Sequence, residues 1–176
     1  MHNGTIFNIM KKYVLIILLV VGFAFLFHNY VFARVTVTGP SMQPTFNNKD
    51  VIFVEKISTK IGNINRGEII IFDSNNENND IYIKRVIGIA GDKINIKDGK
   101  VYLNGQILTE SYLPQGTITK ANSSTTEHVV PKGYIFVLGD NRGNSTDSRI
   151  LGLINIKDVK GHVILRAYPF KNISTF

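Results

Sequence analysis

The sequence of 176 residues contains no cysteine. This absence excludes disulfide bonds, thiolate nucleophiles and cysteine-ligated metal sites, and it suits an exported bacterial domain. The four histidines are His2, His28, His128 and His162, and none lies in a cluster with the spacing of a catalytic or metal-binding motif. A Ser-His-Asp triad therefore has no support in the sequence, and no metal or organic cofactor is implied.

The sequence also lacks a dense basic patch, although basic residues outnumber acidic ones by 20 to 13 and the formal net charge is +7. The lysines and arginines are scattered singly or in pairs and are not interleaved with aromatic residues, so nucleic-acid binding is not expected. A basic surface near anionic lipid, or a solvated basic face, accounts better for the charge. The hydrophobic fraction of 44% excludes a chain that is disordered throughout.

An apolar run near the N-terminus is compatible with two roles. It follows Lys11 and Lys12 and extends without interruption from Tyr13 to Phe27. As a helix this run would rise about 22 Å, whereas an extension to Ala33 would rise about 31 Å and match the ~30 Å hydrocarbon core of a bilayer. One interpretation is a transmembrane anchor with the lysine pair on the cytoplasmic side. The other is a cleavable signal peptide, because Val31–Ala33 resembles a small-residue cleavage site.

From Arg34 onward the sequence has no long amphipathic helical period. Short runs rich in β-branched residues, bounded by Gly, Asn and Asp, predict an all-β domain instead. Asp98-Gly99 and Asn104-Gly105 are tight-turn signals, and the first of them links two strands into a hairpin. The polar stretch Gln115–Glu127 predicts a surface insertion. The predicted strands are Val35–Thr38, Val51–Glu55, Glu68–Phe72, Ile81–Ile89, Lys93–Ile96, Val101–Leu103, Tyr134–Leu138 and Gly161–Ala167.

Ser41 lies in a turn-forming segment, Gly39–Thr45, shortly after the apolar run. One glycine and two prolines in this segment impose a non-helical backbone. A serine in such a segment is by default only a turn residue. Ser41 is therefore a candidate nucleophile only if a nearby base activates its hydroxyl.

Lys84 has an unusual position within a predicted strand of apolar residues. Its neighbours on the same face of the strand are Tyr82 and Val86. One interpretation is an edge lysine that extends to water or pairs with a carboxylate. The other is a desolvated amine whose pKa is lowered until the neutral form is available at working pH. A neutral amine can take a proton from a serine hydroxyl, and Ser-Lys pairs are among the variants of triad chemistry.

Five short motifs follow the apolar run in order. Each is weak evidence alone, whereas the ordered set is specific. The motifs are Ser41–Thr45, Asp50–Val54, Arg66–Phe72, Lys84–Gly88 with Gly91 and Asp92, and Gly139–Arg142 followed by Ser145, Asp147, Ser148 and Arg149. In this order and behind a membrane segment, they resemble the bacterial type I signal peptidases, the membrane-bound enzymes that remove signal peptides from exported proteins.

The resemblance covers most of the chain, from Lys11 to Phe170, and implies a domain organisation. It implies a short cytoplasmic segment (1–12), a retained transmembrane anchor (13–33) and a compact, extracytoplasmic, all-β catalytic domain (34–176) with a surface insertion (115–127). The protein would then be a single-pass protein of the cell membrane that contacts the lipid bilayer, and we expect a monomer. Val31–Ala33 is a candidate site of self-cleavage in such a protein.

The resemblance also implies roles for individual residues. Ser41 would attack the scissile carbonyl group, Lys84 would act as general base, and the Ser41 backbone N–H would donate into the oxyanion hole. Ser145 would hydrogen-bond the lysine amine and orient it. The implied supporting ion pairs are Asp147 with Arg149 and Asp140 with Arg85.

The implied activity is that of a serine endopeptidase that cleaves secretory preproteins after a small-x-small motif. One alternative is another Ser-Lys protease, such as a self-cleaving repressor, but that class should carry a helix-turn-helix and none is recognisable here. A second alternative is a non-enzymatic exported β-domain. One position departs from the family pattern, because Gly39 stands where some members have a serine that donates to the oxyanion. The second oxyanion donor is therefore unassigned.

Overall fold

The computed structural model describes residues 10–22, 31–60, 62–75, 80–121 and 126–176. Over these ranges the chain is mainly β, which confirms the predicted class. The strands are β1 (Phe32–Thr36), β2 (Val51–Glu55), β3 (Ile69–Asp73), β4 (Ile81–Gly88), β5 (Lys93–Lys97), β6 (Lys100–Leu103), β7 (Gln106–Ile107), β8 (Glu127–Val129), β9 (Tyr134–Leu138), β10 (Ile154–Asn155), β11 (Val159–Tyr168) and β12 (Ser174–Thr175). The helices are α1 (10–22), α2 (Ile57–Lys60) and α3 (Ser148–Leu151), with 3-10 turns at Ile156–Asp158 and Phe170–Asn172.

The larger sheet has eight antiparallel strands in the order β1-β2-β11-β3-β4-β9-β10, with β12 paired to β11. Its central strands are buried on both faces: Ile69–Phe72 of β3 are apolar, and Ile83–Gly88 of β4 are buried although they include Lys84 and Arg85. Such continuous burial is the pattern of strands that are covered on both sides. Lys84 therefore lies in an interior strand, between β3 and β9, and the interpretation of it as an edge lysine is wrong.

The smaller sheet has four strands in the order β7-β6-β5-β8. The predicted hairpin at Asp98-Gly99 joins β5 to β6, and both residues have positive φ angles of 51° and 74°. Two consecutive left-handed residues are what a tight hairpin turn requires. A shared core unites the two sheets, because Ile87 and Phe136 of the larger sheet pack in the same buried cluster as Ile94 of the smaller one.

The sequence predicted every strand of four or more residues, some with shifted bounds, and missed the shorter ones. The bounds predicted for β2 and β9 agree with the structure. Four strands of two or three residues, β7, β8, β10 and β12, were not predicted because so few residues show no alternation.

The first strand begins earlier than predicted, at Phe32 rather than Val35. Phe32 and Ala33, which the predicted anchor included, pair with Glu55 and Val54 of β2. The peptide bond after Ala33, the candidate site of self-cleavage, therefore lies in a strand that is already paired. A paired strand is not free to enter the cleft of a protease, where a substrate binds as an extended segment.

The N-terminal helix α1 is described over residues 10–22. Among the described residues, no helix combines the length and the apolar character needed to cross a bilayer. The predicted anchor, 13–33, includes residues 23–30, which lie outside the described ranges together with His2 and His28. Residues 122–125 of the predicted insertion are also outside them, and β8 begins at the end of that insertion.

Candidate active site

Ser41 lies in the loop of residues 37–50 between β1 and β2, which is called the nucleophile loop after the expected role of Ser41. Two side chains of this loop, Met42 and Phe46, are fully buried in the core and hold the loop against the larger sheet. From the opposite side, the Asn141 backbone N–H donates to the Ser41 carbonyl oxygen at 3.0 Å, and its side chain donates to the Pro40 carbonyl oxygen at 3.1 Å. The backbone of Ser41 is thus held from two directions.

The fold brings Lys84 to Ser41 across 43 positions of sequence. The Lys84 Nζ donates a hydrogen bond to the Ser41 Oγ at 2.9 Å and a second one to the Ile83 carbonyl oxygen at 2.8 Å. Lys84 is only 3% exposed, whereas Ser41 is half-buried. A buried amine is therefore within proton-transfer distance of a hydroxyl that a substrate can reach.

The surroundings of Lys84 favour its neutral form. Burial lowers the pKa of its amine to about 8, because the ammonium ion loses its hydration inside the protein. The carboxylates of Asp147 and Asp140 act in the opposite direction and raise this pKa. The balance leaves a lysine that is neutral in about half of the molecules at pH 8 and can both accept and return a proton.

Two buried arginine–aspartate pairs flank the lysine. Arg85 donates to the two oxygens of Asp140 from Nε at 3.0 Å and from Nη2 at 2.7 Å. Arg149 donates to Asp147 from Nε and Nη2, each at 2.8 Å. Burial raises the pKa of the Asp147 carboxyl, but Arg149 outweighs it and holds that pKa below its ordinary value. Both ion pairs implied by the resemblance are formed, and each places a carboxylate near Lys84.

Ser145 is arranged differently from the expectation. Its Oγ is buried and has no hydrogen-bond partner among the described residues, so the expected bond to the Lys84 amine is not formed. The hydroxyl lies near enough to Asp147 to lower the pKa of that carboxyl, although no well-directed hydrogen bond joins them. Gly139 keeps Ser145 close to Ser41, because a Cβ at position 139 would lie 2.5 Å from the Ser41 carbonyl oxygen and 2.6 Å from the Ser145 Cβ. Only glycine fits between the two serines.

A further buried arginine, Arg142, belongs to the last motif, but the sequence indicated no role for it. Its Nε donates to the Gly139 carbonyl oxygen at 3.1 Å, and its Nη1 donates to Glu110 at 3.0 Å. Glu110 also accepts from the Tyr112 hydroxyl at 2.6 Å, and the Tyr112 ring lies 3.9 Å from the Arg85 guanidinium carbon. These contacts attach the segment after β7 to the loop beside Lys84. The sequence could show only that Arg142, if buried, would need hydrogen-bond acceptors. It could not show that Glu110 and the Gly139 carbonyl oxygen are those acceptors.

The expected oxyanion donor, the Ser41 backbone N–H, is available. The Ser41 backbone N–H has no acceptor among the described residues, so it can meet a negative oxygen on a substrate. The Gly39 N–H donates instead to the Asn48 side chain at 3.2 Å, and the second donor remains unassigned. Within the described ranges, no three His, Asp or Glu side chains are placed to hold a metal ion.

The comparisons with known proteins concern nearly the whole chain. Residues 10–168 match the family described as signal peptidase, peptidase S26. The chain belongs to this family. Signal peptidase I of Bacillus caldolyticus is 40% identical over 157 residues, covering 82% of this chain and 84% of that protein. Signal peptidase IB of Staphylococcus aureus strain COL is 36% identical over 179 residues, covering 92% of this chain and 93% of that protein.

A solved structure of the same family is also similar. The crystal structure of a signal peptidase I from Enterococcus faecalis V583 shares 31% sequence identity, with a TM-score of 0.46, and covers 57% of this chain and 96% of that one. The resemblance to signal peptidases that the five motifs indicated is confirmed by the S26 match and by the identity to its relatives. The chain is accordingly a serine endopeptidase of the signal peptidase type.

Proposed function

We propose that this S26 peptidase removes N-terminal signal peptides from secretory preproteins, with Ser41 as the nucleophile and Lys84 as the general base. The observation that carries the proposal is the 2.9 Å contact between the buried Lys84 amine and the Ser41 hydroxyl. No described His, Asp or Glu side chain accepts a hydrogen bond from the Ser41 hydroxyl, which supports Lys84 as its base. The cut follows a small-x-small motif in the preprotein.

The proposed reaction begins when neutral Lys84 takes the proton of the Ser41 hydroxyl as Oγ attacks the scissile carbonyl carbon. The Ser41 N–H stabilises the negative charge on the carbonyl oxygen. The Lys84 ammonium then gives its proton to the leaving amine, the peptide bond breaks, and an acyl-enzyme remains. Lys84 next deprotonates a water molecule that attacks the ester, and the returning proton restores the Ser41 hydroxyl. The signal peptide leaves as a carboxylic acid.

The two carboxylates near Lys84 keep its amine able both to accept and to release a proton during this cycle. Burial alone would push the amine towards the neutral form, in which it is a poor proton donor to the leaving group. Asp147 and Asp140 favour the ammonium form and so oppose burial. A general base works best when its pKa is near the operating pH, because it must both accept and release the proton.

We also propose the membrane arrangement that the sequence indicated. The segment 13–33 anchors the enzyme, residues 1–12 are cytoplasmic, and residues 34–176 form the catalytic domain on the extracytoplasmic side. The apolar run from Tyr13 and the preceding lysine pair support this arrangement. A single anchor next to β1 would keep the nucleophile loop close to the bilayer, where a signal peptide is presented. The enzyme acts as a monomer.

Cleavage of a preprotein in detergent by the wild type and two variants tests the proposal. Ser41→Ala removes the nucleophile and Lys84→Met removes the base while preserving the length of the side chain. We expect each to lower kcat/KM by at least about 1,000-fold, as for other members of nucleophile–base pairs. Lys100→Met is the matched control, because Lys100 is an exposed strand lysine in the smaller sheet.

If either variant still cleaves the preprotein at the wild-type rate, the proposed Ser41–Lys84 mechanism is wrong. Loss of activity in the Lys100→Met control would show instead that the assay responds to any change of charge. A covalent serine-directed reagent supplies a measurement independent of substrate. It should label the wild type at Ser41, and label Lys84→Met far more slowly, because an unactivated serine hydroxyl is a weak nucleophile.

A further inference from the structure

Arg166 on β11 joins the C-terminal segment to the nucleophile loop. Its Nη1 donates to the Thr45 carbonyl oxygen at 2.5 Å and lies 3.5 Å from the Asp50 carboxylate. Its Nε donates to the Asn172 carbonyl oxygen at 2.7 Å, and its Nη2 donates to the Ser174 Oγ at 3.0 Å. The side chain is only 14% exposed. A planar guanidinium is suited to this arrangement because its donors point in several fixed directions at once.

The loop end of this arrangement leads to the catalytic pair. Thr45, whose carbonyl oxygen Arg166 holds, donates from its own Oγ1 to the Asp140 carboxylate at 2.5 Å. Asp140 is the partner of Arg85, the residue that follows Lys84 in β4. Arg166 therefore holds the segment just after the nucleophile at Thr45, the residue that is linked through Asp140 and Arg85 to the strand that carries the base.

The other end consists of the C-terminal residues 169–176. The 3-10 turn at Phe170–Asn172 and strand β12 supply two acceptors for the Arg166 guanidinium, the Asn172 carbonyl oxygen and the Ser174 Oγ. The Phe176 ring lies 4.7 Å from the ring of Phe46, which is fully buried in the nucleophile loop. The family match ends at residue 168, so these contacts are made by a segment beyond the matched residues.

We propose that Arg166, held by residues 169–176, is a positioning residue that fixes the nucleophile loop and so aligns Ser41 with Lys84. This inference rests on the proposed function, because alignment matters only if Ser41 and Lys84 react together. Arg166 acts through Thr45 and touches neither Ser41 nor Lys84, so it sets geometry and not the protonation of the base. A shift of about 1 Å in a reacting group lowers a rate by about 100-fold.

The test compares Arg166→Met with the wild type by steady-state cleavage of a preprotein in detergent. We expect kcat to fall by about 100-fold and KM to change by less than about threefold, since ground-state binding is not altered. The pH limb of kcat/KM should stay where it is in the wild type. Arg166→Lys should recover only part of kcat, because an ammonium group cannot reach several acceptors in fixed directions. Lys160→Met is the control, since Lys160 is on the same strand and its side chain is half exposed in an ion pair with Asp73.

Each outcome is decisive. An active wild type with unchanged kcat in Arg166→Met, or with a change in KM alone, would overturn this inference and leave the proposed function intact. Full activity of Arg166→Lys would also overturn it, because charge alone would then suffice. A wild type that cleaves no preprotein would overturn the proposed function and this inference together.

A second pair of variants covers the case in which Arg166→Met does not fold. Ser174→Ala removes one acceptor of the guanidinium, and Phe176→Leu removes the ring that packs on Phe46. Both leave Arg166 in place, and we expect each to lower kcat by about fivefold, the effect of one hydrogen bond or ring contact. Wild-type kcat in both variants would overturn the role of the C-terminal segment.

Discussion

Two neighbouring residues of β4, Lys84 and Arg85, are both buried cations, and they differ in how their charge is met. Successive residues of a strand point to opposite faces, so each of them meets a different environment. Arg85 donates two hydrogen bonds to the Asp140 carboxylate and a third to the Gly67 carbonyl oxygen at 2.8 Å. Among the described residues, Lys84 has only neutral oxygens as hydrogen-bond acceptors, those of Ser41 and Ile83.

The presence or absence of a hydrogen-bonded carboxylate separates a structural cation from the one proposed to react. A buried ion with a bidentate partner of opposite charge keeps its charge, and its loss of hydration is offset by the partner. A buried ion without such a partner shifts its pKa and becomes neutral more easily. Arg85 and Arg149 are of the first kind, whereas Lys84 is of the second. Three measurements test this contrast.

The largest effect is expected from breaking a structural pair. Asp147→Asn removes a charge but preserves shape, and it leaves the Arg149 guanidinium buried without a carboxylate. Removing one partner of a buried ion pair costs about 3–5 kcal/mol of the free energy of unfolding. Urea denaturation of the purified enzyme, followed by intrinsic fluorescence of tyrosine, measures this loss.

The control for this prediction is Asp98→Asn, since Asp98 is an exposed turn residue in the smaller sheet. It should change the free energy of unfolding by less than about 0.5 kcal/mol, as is usual for surface positions. If Asp147→Asn has the same free energy of unfolding as this control, the Arg149–Asp147 pair does not stabilise the fold. Arg149 would then not differ from Lys84 in the way described above.

A smaller effect of opposite sign is expected when the reactive cation is removed. The folded pKa of Lys84 is about 8, below the ordinary value of 10.5. The folded state therefore binds fewer protons than the unfolded state between these values, and the stability of the wild type rises with pH across this window. Below pH 8 the penalty of the buried ammonium is fully present and amounts to about 3 kcal/mol. Lys84→Met removes this penalty and should be more stable than the wild type at pH 7.

The pH dependence makes this prediction specific. The stability difference between Lys84→Met and the wild type should shrink as the pH rises from 8 to 10.5, because the wild-type lysine then becomes neutral in both states. Denaturation at pH 7, 8.5 and 10 gives the three values needed. A difference that does not vary with pH would mean that packing and not charge distinguishes the variants.

The sequence predicted the elements of the fold better than their contacts. Long β-branched runs predicted β2 and β9 with the right bounds, because their alternation and their turn residues are local signals. Lys84 was recognisable as unusual because it lies in a β-branched run, with Tyr82 and Val86 as its neighbours on the same face of the strand. Its burial in an interior strand was not predictable, since strand order depends on pairing between distant segments.

The same limit applies to the site. The ordered motifs were sufficient to name Ser41 and Lys84, but they carry no information about which polar atoms face each other. The expected bond from Ser145 to the lysine amine is absent, and the Oγ of Ser145 is buried without a partner among the described residues. Arg166 and Glu110 were not identified at all, because each acts through contacts with segments far away in sequence. Such contacts depend on side-chain directions that a linear pattern does not specify.

The smallest expected effect is a displacement of the pH dependence of activity by a change beside Lys84. If Lys84 must be neutral to accept the Ser41 proton, kcat/KM should rise tenfold per pH unit below about pH 8 and level off above it. The Asp147 carboxylate raises the pKa of the Lys84 amine, so Asp147→Asn should move this limb to lower pH. Stopped assays of preprotein cleavage from pH 5 to 10, below the unfolding temperature of the variant, give both profiles. A limb near pH 10.5 would mean that Lys84 is as hydrated as a surface lysine, and a limb that Asp147→Asn leaves in place would mean that the aspartate acts on the fold alone.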